Sequence, residues 1–439
     1  MRTLISPVLA GGKHKIVVPD GWDGTLILYS QGPPAPRDDP VWRTSRTIDA
    51  FLARRYAVGG WASPMFWPLE QSFDMQMGVL DAFAADVGAP ALTVAYGESI
   101  GGIITAGLVQ THGDRLDGAL PLCGPIAGGI GTHNRELDIA FAFKVLLAPD
   151  SAIELVRISD PEANVALAID AFDAAARTPD GRARLALIAA IGNVPAVADP
   201  RTGGPEPHDP QTRLDAQLRW FRDIVFLVTF SARATVERRA GGNPAWNSNV
   251  DYASLLQRSR SRDLVEWFYA DAGLDLASDL SRLASASRVE ADPGSVHYLE
   301  RYIVFDGLLS VPVVTMHTTG DGLCTPEHEH AYSDVVRAAG RSDHLRQLWL
   351  TRGGHCTFTI AETLTAFDVL RERIRGGKWP STEPESLNAA ARLQPAEYRT
   401  LVDPRRPEEV IAREPEFGRY EPMPFSRPYD ARMVRAQGS

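Results

Sequence analysis

The chain has 439 residues, 44% hydrophobic and 23% charged, with a formal net charge of −10. That length exceeds one ordinary domain, and the composition is that of a globular protein, so a core with an insertion is expected. The acidic balance argues against nucleic acid and anionic membrane surfaces as partners, and no apolar run is long enough for membrane insertion.

Met1–Gly12 holds one arginine and an apolar stretch too short for a signal peptide. A cytoplasmic protein is expected, the other reading being a secreted parent that has lost its signal. Residues 15–18 and 25–30 read as strands joined by a tight turn at Asp20–Gly24. Residues 42–54 read as a helix, and 56–61 as a strand ending on Trp61. Phe73, Met77, Val79, Leu80 and Phe83 have helical spacing over 69–87. Leu92–Tyr96 is apolar and β-branched and reads as a buried strand; a helix to about 112 and a strand at 118–123 follow. This alternation implies a mostly parallel sheet with helices on both faces, an α/β fold.

After Cys123 the pattern changes. From about 133 to 305 the chain is helix-like throughout, as in Leu137–Leu147, Pro161–Ala175, Arg182–Ile191, Thr212–Arg239 and Arg262–Ala272. Strand signals return at 311–317 and 344–350. The expected organisation is a core in two parts, 1–130 and 309–375, with a helical cap at 131–308 between them. Asp199–Gln211, with four prolines and two glycines, is expected to divide the cap into two lobes. The stripe Leu218, Phe221, Ile224, Val225, Val228 reads as cap core, and Trp220 beside it faces core or pocket. Residues 376–439 are proline-rich yet carry Tyr398, Phe417, Tyr420, Phe425 and Tyr429. A disordered tail would hold fewer aromatics. The tail is expected to wrap the core and to reach the cap or a second copy of the chain in a homodimer.

Gly97-Glu98-Ser99-Ile100-Gly101 lies between the 92–96 strand and the helix after it. Glycines at 97 and 101 remove the Cβ atoms that would clash in a sharp strand-to-helix turn. Such a turn lifts a serine hydroxyl clear of the sheet and turns the Ile100 N–H toward a developing oxyanion. A serine needs a base, and the base needs a third group to hold it. Asp321 stands in a loop just past the 311–317 strand, and His355 follows Gly353-Gly354 just past the 344–350 strand. Asp334 and Asp343 are alternative acids, but neither directly follows a strand end. The expected triad is Ser99, Asp321, His355, in an order found in hydrolases. Trp61 and Glu98 are the candidate substrate contacts. Glu98 also reads as a buried, hydrogen-bonded carboxylate able to tune His355.

Other features have plain structural readings. His317 lies within a strand and reads as a satisfied core residue. His328 and His330 begin a helix, and their i, i+2 spacing points them apart, so no metal site is expected. No glycine loop cradles a phosphate, so no cofactor is implied.

Together the elbow, the 18–26 strand-turn segment, Gly118–Gly124 and Gly353-Gly354-His355-Cys356 resemble the α/β-hydrolase superfamily. The closer resemblance is to actinobacterial-type serine hydrolases with a large helical cap, over roughly residues 15–375. It implies the fold and the triad, and hardly constrains the substrate. Relatives usually carry His-Gly after the 25–30 strand, and the residue that follows donates an N–H. Here the run is Tyr29-Ser30-Gln31-Gly32-Pro33-Pro34-Ala35-Pro36, and Pro33 has no N–H to give. The oxyanion donors then come from Ile100, the Gln31 side chain and the Gly32 N–H, with Gln31 the favoured substitute. The three cysteines are expected to be free, half-buried thiols, the other reading being a Cys324–Cys356 disulfide. His355-Cys356 also resembles tannase and feruloyl esterase relatives, in which a cysteine beside the serine bridges to one beside the histidine. Glu98 stands at that first position, so that bridge is not expected.

The expected function is a cofactor-free serine hydrolase of a small-molecule ester or other acyl substrate, most simply a carboxylic ester. Amides, peptides and lactones stay open. Acyl transfer or carbon–carbon hydrolysis on the same triad is the alternative within the fold. A binding protein on an inactive hydrolase scaffold is the alternative outside it.

Overall fold

The computed structural model describes residues 1–7, 13–34, 42–43, 45–201, 204, 206–403 and 406–430. Ala35 and Pro36, part of the Asp199–Gln211 segment, Pro404 and the last residues of the tail lie outside these.

The strands are β1 (Arg2–Pro7), β2 (Lys13–Val18), β3 (Thr25–Ser30), β4 (Ala57–Trp61), β5 (Leu92–Glu98), β6 (Gly118–Leu122), β7 (Val313–Gly320), β8 (Leu345–Gly353), β9 (Thr400–Asp403), β10 (Arg406–Ala412) and β11 (Phe417–Gly418). Nine of them form one sheet in the order β1-β2-β4-β3-β5-β6-β7-β8-β11. Strands β3 to β8 pair in parallel, while β1, β2 and β11 are antiparallel additions at the edges. This is the α/β-hydrolase fold. Successive side chains on a strand point to opposite faces. Thus Leu26 and Leu28 enter one core cluster and Ile27 the other, and on β5 Ala95 opposes Val94 and Tyr96.

Several boundaries differ from the sequence expectation. The helix placed at 42–54 starts at Arg46, because Ser45 caps it by accepting the Ile48 N–H. The single helix placed over Thr212–Arg239 runs as Pro210–Trp220, two π turns at Phe221–Val225 and Val228–Ala232, and Arg233–Ala240. Each π turn inserts a residue and rotates the stripe. Leu218, Phe221 and Val225 stay buried, while Leu227 between the turns is exposed. The edge strand β1, absent from the sequence reading, pairs with β2.

The helices from Gly129 to Ile303 lie between β6 and β7 in the chain and have their own core around Phe143, Phe221, Phe226 and Phe230. This segment docks on the acid loop and the histidine loop. Arg135 donates to Gly192 O at 2.8 Å and to Leu323 O at 3.3 Å. Trp220, whose direction the sequence left open, is buried and donates to Val197 O at 2.9 Å. Its indole leaves no room for a Cβ at Gly322.

The tail straps the sheet to these helices. β11 pairs with β8, and Tyr420 packs on Trp349 with centroids 5.1 Å apart. Farther on, Arg427 grips Asp138 through contacts of 2.9 and 2.7 Å, and the Tyr429 hydroxyl donates to Glu300 at 2.6 Å.

Candidate active site

Ser99 sits between β5 and the helix Ile100–His112 with φ 58° and ψ −122°. A non-glycine residue there costs about 1–3 kcal/mol, a strain that surrounding structure must hold. The elbow is held by close approach. A Cβ at Gly101 would lie 2.0 Å from Ser30 O, and one at Gly97 2.4 Å from Gly101 O. The Ser99 N–H donates to Leu122 O at 3.0 Å, which fixes the turn to β6. Its hydroxyl makes no cap bond to the helix and faces His355 instead.

His355 Nε2 lies 2.8 Å from Ser99 Oγ, and His355 Nδ1 lies 2.7 Å from Asp321 Oδ2. The structure therefore brings together the three side chains singled out from sequence. The histidine loop is pinned below by Gly354 N–H to Gly320 O at 3.1 Å and by the Thr318 hydroxyl to Gly354 O at 2.6 Å. From above, Val197 and Ala198 leave no room for a Cβ at Gly353. Asp321 is fully buried, and its Oδ1 accepts the N–H groups of Leu323 and Cys324 at 2.9 and 3.1 Å. Burial alone would raise its pKa, but His355 and His317 outweigh that and hold it at about 2.

Backbone donors surround the serine. Ile100 opens a helix, so its N–H has no partner one turn back. Gly32 packs directly on the elbow: a Cβ there would lie 2.6 Å from Glu98 O and 3.3 Å from Ser99 Cβ. The Gln31 side chain is committed elsewhere. Its amide donates to Pro33 O at 2.8 Å and its carbonyl accepts the Arg43 N–H at 2.5 Å. These bonds knit the loop and favour the Gly32 N–H over the Gln31 side chain as the second donor. Gln31→Ala should therefore lower kcat less than about tenfold, against the hundredfold or more of a lost oxyanion donor. Steady-state kinetics on a p-nitrophenyl ester would measure this, and a hundredfold fall in kcat at constant KM would restore the side chain as donor.

Glu98 is held by the Tyr96 hydroxyl, and burial raises its pKa against the opposing effects of Tyr96 and His355. Trp61 is buried in the same core cluster as Trp67 and Ile100, and its Nε1 is without a partner. His328 is buried and its Nδ1 accepts the Ala127 N–H at 3.1 Å, while His330 pairs with Asp334.

The cysteines differ from expectation. Cys123 and Cys356 form a disulfide with Cα atoms 5.7 Å apart, and Cys324 is the buried free thiol. Register supplies the reason. Glu98 pairs with Leu122, so Cys123 stands next to the elbow, just past the end of the neighbouring strand. It is beside the serine in space, where sequence adjacency could not place it. The ligand atoms of Cys123, His355 and Cys356 lie within 4.8 Å of one another, but the two sulfurs are bonded to each other and the imidazole is bonded to Ser99.

Sequence reasoning also missed Arg352, which is fully buried under the histidine loop. It pairs with Glu362 and with Glu416 of the tail, the latter at 2.8 Å. Only its place next to Gly353-Gly354 hinted at such a role.

No family model matches the chain. It is 30% identical to an o-phthalyl amidase of Xanthobacter agilis over 417 residues, 87% of this chain and 89% of the amidase. Among solved structures, feruloyl esterase B from Aspergillus oryzae shares 13% identity, with 86% of this chain and 81% of the esterase covered and a TM-score of 0.37. An acylaminoacyl peptidase of Pyrococcus horikoshii shares 10% identity, with 85% of this chain but only 38% of the peptidase covered, at a TM-score of 0.37. No helix among the described residues is long and apolar enough to cross a membrane. Matched to the amidase over most of both chains, and built on the α/β-hydrolase fold, the chain belongs to the same family of hydrolases as that amidase.

Proposed function

We propose that the chain is a cofactor-independent serine amidase whose substrates carry an aromatic acyl group with a neighbouring carboxylate. The single observation that carries the triad is the unbroken hydrogen-bond chain from Ser99 through His355 to Asp321. The 30% identity to an o-phthalyl amidase supports the bond and the acyl class.

In this reading Ser99 Oγ attacks the amide carbonyl while its proton passes to His355 Nε2. The oxyanion takes hydrogen bonds from the Ile100 and Gly32 N–H groups. The imidazolium then gives its proton to the departing nitrogen, leaving an acyl-enzyme. Water, deprotonated by the same imidazole, releases the acid and frees Ser99. Asp321 stays ionised throughout and holds the Nδ1–H tautomer. Esters follow the same route with an easier leaving group. Trp61 and Trp67, both with a buried, unpartnered indole N–H, are the proposed wall for an aryl ring and its carboxylate. The helices at 129–303, docked on both catalytic loops, form a cap that excludes water and selects substrate. The disulfide fits an oxidising compartment better than the cytoplasm.

The test compares three probes on the whole protein: a phthalic monoamide, the corresponding benzamide and methyl benzoate. The monoamide should exceed the benzamide in kcat/KM by at least about tenfold, the value of one charge-assisted contact. An inert monoamide beside a turned-over ester would retire the acyl class and leave a carboxylesterase.

A further inference from the structure

His317, on β7 four residues before Asp321, is fully buried. Its Nδ1 lies 3.2 Å from Glu329 Oε1. Its Nε2 lies 2.6 Å from Cys324 O and 3.4 Å from Asp321 Oδ2. Both ring nitrogens thus face oxygens that can only accept. A neutral imidazole would turn a lone pair on one of them, whereas an imidazolium satisfies both. Glu329 is fixed in turn by the Thr315 hydroxyl at 2.5 Å and the Gln347 amide at 2.6 Å. The Asp321 carboxylate therefore stands between two imidazoles, with Oδ2 shared between His355 and His317.

We infer that His317, clamped by Glu329, is a positioning residue of the triad: a buried cation behind Asp321 that sets the carboxylate plane and disfavours a second cation at His355. This rests on the triad reading above. It assigns a role beyond core packing to a histidine that never touches substrate.

The surrounding charges agree. Burial would lower the His317 pKa, but the Asp321 and Glu329 carboxylates outweigh it and push the pKa up to about 10. From the helix Gly129–Leu147, Arg135 also acts on Asp321. From the helix Glu327–Ala338, His328 is pushed well below its usual range, by burial first and then by Arg135 and His317. The Cys324 thiol and the Tyr332 hydroxyl, facing Asp321 and Glu329, are raised by burial and stay neutral. The catalytic carboxylate thus sees His317 and Arg135 as fixed cations, and His355 is the one partner that changes charge during turnover.

The sign follows. Catalysis needs neutral His355, so kcat/KM falls as acid protonates it. A cation held near Asp321 opposes that protonation. In His317→Gln, a neutral donor, the acid limb of kcat/KM for p-nitrophenyl acetate should move up by about one pH unit, as for loss of one nearby charge. The plateau kcat should fall about tenfold with KM nearly unchanged, as for loss of orientation. Glu329→Gln should move the limb the same way by less. A residue that merely fills the core would lower stability and scale the whole profile; an unmoved limb in both variants overturns the inference. Should either variant misfold, the wild-type protein decides. Its 15N–1H spectrum at pH 7.5 should show both ring nitrogens of His317 protonated, and one protonated nitrogen overturns the inference. Labelling of wild-type Ser99 by a fluorophosphonate separates the two claims. Absent labelling sinks the triad itself, and intact labelling with an unmoved limb sinks only the role of His317.

Discussion

Ser99→Ala should lower kcat by about four to six orders of magnitude, the usual consequence of removing a triad nucleophile. KM should change little, because the hydroxyl binds substrate no more tightly than its surroundings do. Stability should also change little. Position 99 keeps the same positive φ whichever of the two residues occupies it, and the anchoring bond from its N–H to Leu122 O is untouched. The variant is thus a clean test: folded, substrate-binding and inactive. His355→Ala should cost nearly as much, and the double variant no more than either single one, since the groups act as one unit. Fluorophosphonate labelling should vanish with Ser99→Ala. Retention of more than about 1% of wild-type kcat would mean that another nucleophile does the chemistry.

The reason this prediction can be made from sequence is local. Each triad member follows a strand and sits in a turn whose glycines are visible in the chain: Gly97 and Gly101, Gly320 and Gly322, Gly353 and Gly354. Strand ends in a parallel sheet converge on one edge, so three such turns must meet there. What was not legible depends on contacts across the fold. The bridge partner of Cys356 follows from β5 lying next to β6 with Glu98 opposite Leu122, a register no local pattern reports. The direction of the Gln31 amide is decided by Arg43 in a later loop. The charge on His317 is decided by Glu329 of a helix that packs back against β7. β1 escaped because so short a stretch carries no strand pattern of its own until β2 offers it an edge. The tail was readable as ordered from its aromatics, while its path over β8 to Asp138 came only with the fold.

Breaking the Cys123–Cys356 disulfide should have the largest effect on stability and should also reach the active site. The bond closes a loop of 233 residues in sequence separation. In the chain-entropy account a closed loop of that size is worth about 5 kcal/mol, which for a chain this long is roughly a 5 °C fall in Tm. The catalytic consequence follows from where the bond ends. Cys356 is the residue after His355, and both bridged cysteines hold positive φ, 43° at Cys123 and 54° at Cys356. Such conformations cost about 1–3 kcal/mol each and persist only while the surroundings impose them. Released, the Cys356 backbone relaxes and carries His355 away from Ser99. A misplacement of about 1 Å in a catalytic group costs on the order of a hundredfold. The remaining anchors, Gly354 to Gly320 and Thr318 to Gly354, limit the movement, so a ten- to hundredfold fall in kcat is expected at temperatures where the protein stays folded. The measurement is kcat and Tm with and without a phosphine reductant, beside the double variant Cys123→Ala/Cys356→Ala without reductant. The two should agree, and Cys324→Ser should share neither effect, because Cys324 is the free thiol. Thiol titration of the denatured, unreduced protein should find one reactive group, rising to three after reduction. A double variant with wild-type kcat and Tm would show that the glycine turn alone holds His355 in reach of Ser99.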